Sequence, residues 1–127
     1  MHVTSWTDDD LVFEDAYNVW GKRLFPWPGL PEPAFGTAWV VVKPGTTSTP
    51  HSHDETEMFF IVEGEGEMDV AGDRRSVRAG DTVFIPPHRD HSLTNPGTDR
   101  LVFLTVFWEQ APAPDGAERP AGSAVGA

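Results

Sequence analysis

The stretch HSHDETE sets His51 and His53 one residue apart and places Glu57 four positions beyond the second. Only five histidines occur in 127 residues, so two within three positions concentrate imidazole chemistry in one place. In extended backbone, side chains at i and i+2 share a face, which lets the two rings converge on one point. Asp54-Glu55-Thr56 forms a turn that returns the Glu57 carboxylate toward them as the next strand pattern opens. Two imidazoles and a carboxylate make a binding set for a divalent first-row ion such as Fe, Mn, Ni, Zn or Cu. The chain has no cysteine, which removes thiolate ligands and disulfides and leaves nitrogen and oxygen donors. The competing reading of an H-x-H pair is a solvated polar loop; the acid at this spacing, with strand patterns on both sides, favours the metal.

Short apolar runs must carry these residues. TAWVVVK (37–43), EMFFIVE (57–63), EGEMDVA (65–71), RRSVRA (74–79), DTVFIP (81–86), HSLTN (91–95) and RLVFLTVFW (100–108) are broken by Gly, Pro and Asp. Seven strand candidates at this spacing predict an all-β domain, either a sandwich or a barrel. If Glu57 faces inward, alternation turns Phe59 and Ile61 inward too and sends Met58, Phe60 and Val62 to the other face. Residues 7–20, TDDDLVFEDAYNVW, admit two readings: a helix capped by Thr7 with Val12, Ala16 and Val19 on one stripe, or an extended LVFED. Four prolines in LFPWPGLPEPAFG (24–36) exclude a regular element, and Phe25, Trp27 and Phe35 are expected to lid the core. Residues 1–36 are therefore expected to pack on a barrel of 37–110, with an Ala/Pro/Gly-rich tail, 111–127, disordered.

A second stretch, GDTVFIPPHRDHSLTN (80–95), holds a glycine turn, an apolar strand, a proline corner and then His91. Together with GTTSTPHSHDETEMFFIVEG (45–64) it resembles the cupin family. Gly45, His51, His53, Glu57 and Gly64 fall at the positions of the first cupin motif, G-x5-H-x-H-x3-E-x6-G. Gly80, Pro86, His91 and Asn95 are similar to the second, G-x5-P-x-G-x2-H-x3-N, but His88 stands at its inner glycine. The resemblance covers about residues 37 to 108. It implies a single-domain, small antiparallel β-barrel or jelly roll, with a metal near one mouth held by His51, His53, Glu57 and His91. Asn95 is then a turn residue, and Gly45, Gly64 and Gly80 sit at strand ends that need left-handed backbone or close approach. If His91 faces inward, so do Leu93 and Asn95, giving a mostly apolar pocket. Trp20, Trp27, Trp39 and Trp108 are candidates for its mouth. His88 either serves the site as a donor or proton carrier, or lies on an exposed corner.

Such a resemblance implies a metal-dependent enzyme acting on a small organic substrate, by dioxygenase-type or related metal-assisted chemistry. Its cofactor is one divalent ion: Fe, Zn, Mn or Ni. Four protein ligands leave two positions open on an octahedral ion, whereas they fill a tetrahedral zinc. Glu57 and His88 are the catalytic candidates, with Asp54 and Glu55 also near. Two alternatives are a zinc cupin of specialised metabolism that acts with a tRNA-synthetase-like partner in nitrogen–nitrogen (hydrazine) bond formation, and a non-catalytic metal- or ligand-binding module. Twenty acidic against nine basic residues, a net charge of −11, argue against nucleic acid and anionic membranes as partners. With no long apolar run and no secretory pattern at the N-terminus, a cytoplasmic protein is expected. RLVFLTVFW is apolar on both faces, which allows a homodimer. Acid is expected to empty the site between about pH 4 and 6, with three histidines taking up protons together.

Overall fold

The computed structural model describes residues 1–109; the expected tail, 111–127, lies outside them. Nine antiparallel strands follow in order: β1 (Val12–Glu14), β2 (Val19–Arg23), β3 (Gly36–Val42), β4 (Glu55–Glu63), β5 (Glu65–Val70), β6 (Asp73–Arg78), β7 (Thr82–Ile85), β8 (His91–Thr94) and β9 (Leu101–Glu109). They form a six-stranded sheet in the order β1-β2-β3-β9-β4-β7 and a three-stranded sheet in the order β6-β5-β8. Facing each other, the two sheets make the all-β, single-domain jelly roll that the resemblance implies. Among the described residues no helix is long and apolar enough to cross a membrane.

All seven expected runs are strands, and the two additional ones come from the segment with two readings. The helix is overturned there: residues 12–23 form a hairpin, preceded by a single 3-10 turn at Asp8–Asp10. Asn18 at φ 55° explains why, since a turn residue in left-handed backbone cannot continue a helix but readily reverses a strand. The stripe of Val12, Ala16 and Val19 dissolves with it: Val19 is buried while Val12 and Ala16 are exposed. The hairpin docks on the loop ahead of the histidines, with Asn18 Nδ2 donating to the Thr47 carbonyl at 2.9 Å and Thr49 N–H to the Tyr17 carbonyl at 2.8 Å. Residues 24–35 form no regular element, and Phe25 packs between Trp27 and Phe35, each ring 6.3 Å away.

Alternation sets the interior as expected. Glu57, Phe59 and Ile61 are buried, whereas Phe60 and Val62 are exposed and Met58 is partly covered. His91, Leu93 and Asn95 are buried on β8 and its end. Asn95 acts as a turn residue: its Nδ2 donates to the carbonyls of Val42 and Asp99, and its Oδ1 accepts from Gly97 N–H. Gly45, Gly64 and Gly80 all have positive φ, and Gly64 is also crowded. A Cβ there would lie 2.7 Å from the Arg100 carbonyl oxygen, at φ 89°. Gly64→Ala should therefore cost about 2 kcal/mol or more, against about 1 kcal/mol for Gly72→Ala, which is left-handed with open space around it. Urea unfolding of the two variants measures the difference, and equal losses would show that the close approach at Gly64 does not matter.

Candidate metal centre

His51 and His53 do not share a regular strand, contrary to the spacing argument. His51 makes a one-residue bridge to His91, and His53 lies in the loop ahead of β4. The bridge exchanges two backbone hydrogen bonds, 3.0 and 3.3 Å, and so brings the loop of the first motif onto β8 of the second. Glu57 enters from β4, where it pairs with Ile85 of the edge strand β7 on one side and Phe107 of β9 on the other. The result is one cluster. One donor atom from each of His51, His53, Glu57 and His91 lies within 4.8 Å of all the others.

The three rings share a protonation pattern fixed by the backbone. Each Nδ1 faces a carbonyl: His51 faces Thr49 at 2.8 Å, His53 faces Glu55 at 3.0 Å, and His91 faces Arg89 at 2.9 Å. A carbonyl only accepts, so Nδ1 carries the hydrogen and, in the neutral ring, Nε2 presents a lone pair. Glu57 Oε1, another acceptor, lies 2.9 Å from His53 Nε2 and 3.3 Å from His91 Nε2. The His91 atom is buried and misaligned for a hydrogen bond, and it has no hydrogen-bond partner. Acceptors aimed at one another in a buried site need a proton or a cation between them. A divalent ion fits this donor set, with the other carboxylate oxygen, Oε2, held by the Thr105 hydroxyl.

Charge follows the same geometry. Burial opposes ionisation of Glu57, but the neighbouring imidazoles of His91 and His53 and the Thr105 hydroxyl outweigh it and hold the carboxyl below its usual range. Burial likewise opposes the His91 cation, yet Glu57 and the Arg89 carbonyl raise its pKa. His51 goes the other way: burial, with the neighbouring His91 charge, lowers it despite the Thr49 carbonyl. Without metal, these directions favour an ionised Glu57 beside a protonated His91.

Thr105 escaped the sequence reading, although alternation along RLVFLTVFW makes it the one hydroxyl on the inner face of β9. The wall of the cavity behind the cluster is apolar, built on Val40, Phe59 and Phe103, the last two stacked at 4.1 Å. The cavity measures about 130 Å³. None of the four tryptophans expected at the mouth lines it; Trp20 packs on Phe13 and Trp39 on Trp6 instead. Tyr17, whose ring lies 4.8 Å from that of His51, lines the cavity with Glu14, Arg23 and Phe107. Glu55 also lines the cavity, while Asp54 is exposed and does not.

His88 is exposed and not among the cavity-lining residues, so the structure does not bring it to the cluster. Its backbone has φ 64°, the left-handed conformation for which the motif carries glycine, and its N–H donates to the His53 carbonyl at 2.7 Å. His88→Gly should therefore retain full metal content and unchanged or slightly higher stability, by up to about 1 kcal/mol. Metal analysis and thermal melting check this; a metal-free variant would make the imidazole itself part of the site.

A family model described as a cupin domain matches residues 38–107. A cupin 2 conserved barrel domain protein from Salinispora arenicola is similar in structure, with a TM-score of 0.78 and 32% identity over 86% of this chain and 89% of that one. Among curated relatives, an oxalate-binding protein from Thermotoga maritima is 36% identical over 55% of this chain and 59% of its own length. A 5-nitrosalicylic acid 1,2-dioxygenase from a Bradyrhizobium species is 30% identical over 61% of this chain and 42% of its own. The chain thus spans about half the length of these curated relatives. With both motifs in place, nine antiparallel strands around them and the family model spanning the barrel, the chain belongs to the cupin family.

Proposed function

We propose that this cupin is a metal-dependent enzyme acting on a small organic molecule by dioxygenase-type chemistry, with His51, His53, Glu57 and His91 as the metal ligands. The observation that carries the proposal is the set of three δ-protonated imidazoles and one carboxylate aimed at a common point beside an apolar cavity. Bound there, a divalent ion such as iron supplies Lewis-acid and redox chemistry toward a substrate and dioxygen. The carbonyls of Thr49, Glu55 and Arg89 fix the ring orientations, and Thr105 fixes the carboxylate. Phe59, Phe103 and Val40 exclude water from the substrate side. Among the described residues Glu57 is the one carboxylate inside the cluster. Its relative that acts on 5-nitrosalicylic acid supports the reaction class.

Iron-loaded protein incubated with salicylate, gentisate and 5-nitrosalicylate in an oxygen-electrode cell tests the reading. Oxygen uptake matching substrate loss is expected for at least one of the three. The relative that binds oxalate favours a second reading, a ligand-binding cupin without turnover. Tight binding of these acids with no oxygen uptake would select it. A homodimer through the outer face of the six-stranded sheet, where half-exposed Phe60 pairs with Leu104, accompanies the proposal; a monomer in sedimentation velocity would remove it.

A further inference from the structure

The hairpin β1–β2 lies outside the segment that matches the family model, yet it supplies Glu14, Tyr17, Val19, Gly21 and Arg23 to the cavity lining. Its inner face carries Glu14, Val19, Gly21 and Arg23. Arg23 pairs in register with Ala38, Ala38 with Thr105, and Thr105 with Phe59. Residues paired in this way share a face, so the guanidinium stands on the same interior surface as the metal cluster. Three strand spacings, roughly 14 Å between the backbones of Arg23 and Phe59, separate the two ends. Among the described residues Arg23 is the only lysine or arginine lining this cavity, whose other charged groups are Glu14, Glu55, Glu57 and the histidines.

The partner of Arg23 is loosely held. Nε lies 3.5 Å from Glu14 Oε1, beyond a good hydrogen bond, and both side chains are partly open to solvent. Exposed pairs of this kind contribute little, so a ligand carboxylate can replace Glu14 at small cost and gain the two-pronged geometry that a guanidinium offers. An uncharged ligand has no use for a cation placed there.

We propose that Arg23 selects an anionic ligand, with a carboxylate seated on the guanidinium and the rest of the molecule extending toward the histidine cluster. Glu14 holds Arg23 in position until the ligand displaces it. The inference rests on the metal-dependent reading above for what the far end of the ligand meets.

Calorimetry on the metal-loaded full chain, without dioxygen, tests it with salicylate and oxalate, each against its uncharged amide, salicylamide and oxamide. Binding of at least one acid is expected, tenfold or more weaker in Arg23→Gln, with its amide changed less than twofold. Arg23→Lys should recover part of the affinity, and Glu14→Gln should strengthen acid binding several-fold. Metal content is measured on every sample and should equal that of the unsubstituted protein. Failure of the unsubstituted protein to hold metal would instead strike the metal-dependent reading. Equal acid affinity in Arg23→Gln at full metal content, equal losses for acid and amide, metal loss in that variant, or no binding of either acid would each overturn the role of Arg23.

Discussion

His91→Ala abolishes stoichiometric metal, as does His53→Ala: that is the expected result of dialysing each variant against a weak chelator and measuring bound metal. His91 is 2% exposed and its Nε2 has no hydrogen-bond partner, so nothing else in the protein accounts for that buried lone pair. Removing one of four donors should weaken binding by more than about 100-fold, beyond the loss usual for groups that merely support a ligand. Loss of the ion takes its stabilisation with it, lowering the melting temperature by roughly 10 °C where metal is well above its dissociation constant. His2→Ala should change neither quantity. Glu57→Gln separates charge from shape. It should lose metal, yet in metal-free protein near pH 8 it should be more stable than the parent by about 1 kcal/mol, because the introduced amide donates where a carboxylate faced two lone pairs. A less stable metal-free variant would show that the carboxylate serves the fold rather than an ion.

The stabilisation conferred by metal grows from mildly acidic pH to above neutrality. In the metal-free site His91 is raised, so its contribution to stability is present below about pH 6.5, the ordinary histidine value, and fades as pH rises through the raised value. Glu57 is lowered, so its contribution is present above the ordinary carboxylate range and fades as pH falls through the lowered value. Metal-free protein is thus most stable between these limits, where Glu57 is ionised and His91 carries a proton. Binding an ion must expel that proton, which makes affinity climb with pH through the raised His91 value. His51 moves the opposite way from His91, lowered by burial despite the Thr49 carbonyl. Beside the expectation of joint uptake, the opposite directions of His51 and His91 predict a release in acid that is spread in pH, with fewer than three protons per ion near neutrality. Bound metal and melting temperature, followed on one sample from pH 4 to 9, check the sign and the slope. A gap between metal-bound and metal-free melting temperatures that widens toward acid would contradict a protonated His91 in the metal-free site.

What the sequence made legible follows from how local each signal is. His51, His53 and Glu57 lie within seven residues, and the cupin resemblance joined His91 to them; the structure brings all four together. The inward positions of Phe59, Ile61 and Leu93 needed only the two-residue period of a strand. The converging geometry of His51 and His53 was anticipated for the wrong reason, because the bridge to His91 does what a shared strand was expected to do. Thr105, Tyr17 and Arg23 are another matter. Arg23 and Thr105 reach the cavity through strand pairing across the sheet, in the row Arg23–Ala38–Thr105–Phe59, and Tyr17 reaches it from the turn between β1 and β2; register between distant strands has no local signature. Tryptophans were candidates for the mouth, whereas the hairpin brings Tyr17 beside His51 and leaves Trp20 and Trp39 packed on other aromatics.

Anomalous diffraction from crystals of protein loaded with stoichiometric zinc or manganese tests the four-residue centre most directly. One peak per chain is expected between the motifs, with Nε2 of His51, His53 and His91 and a Glu57 oxygen at about 2.0–2.2 Å. A peak at His88 or on surface carboxylates, with none among these four residues, would contradict it.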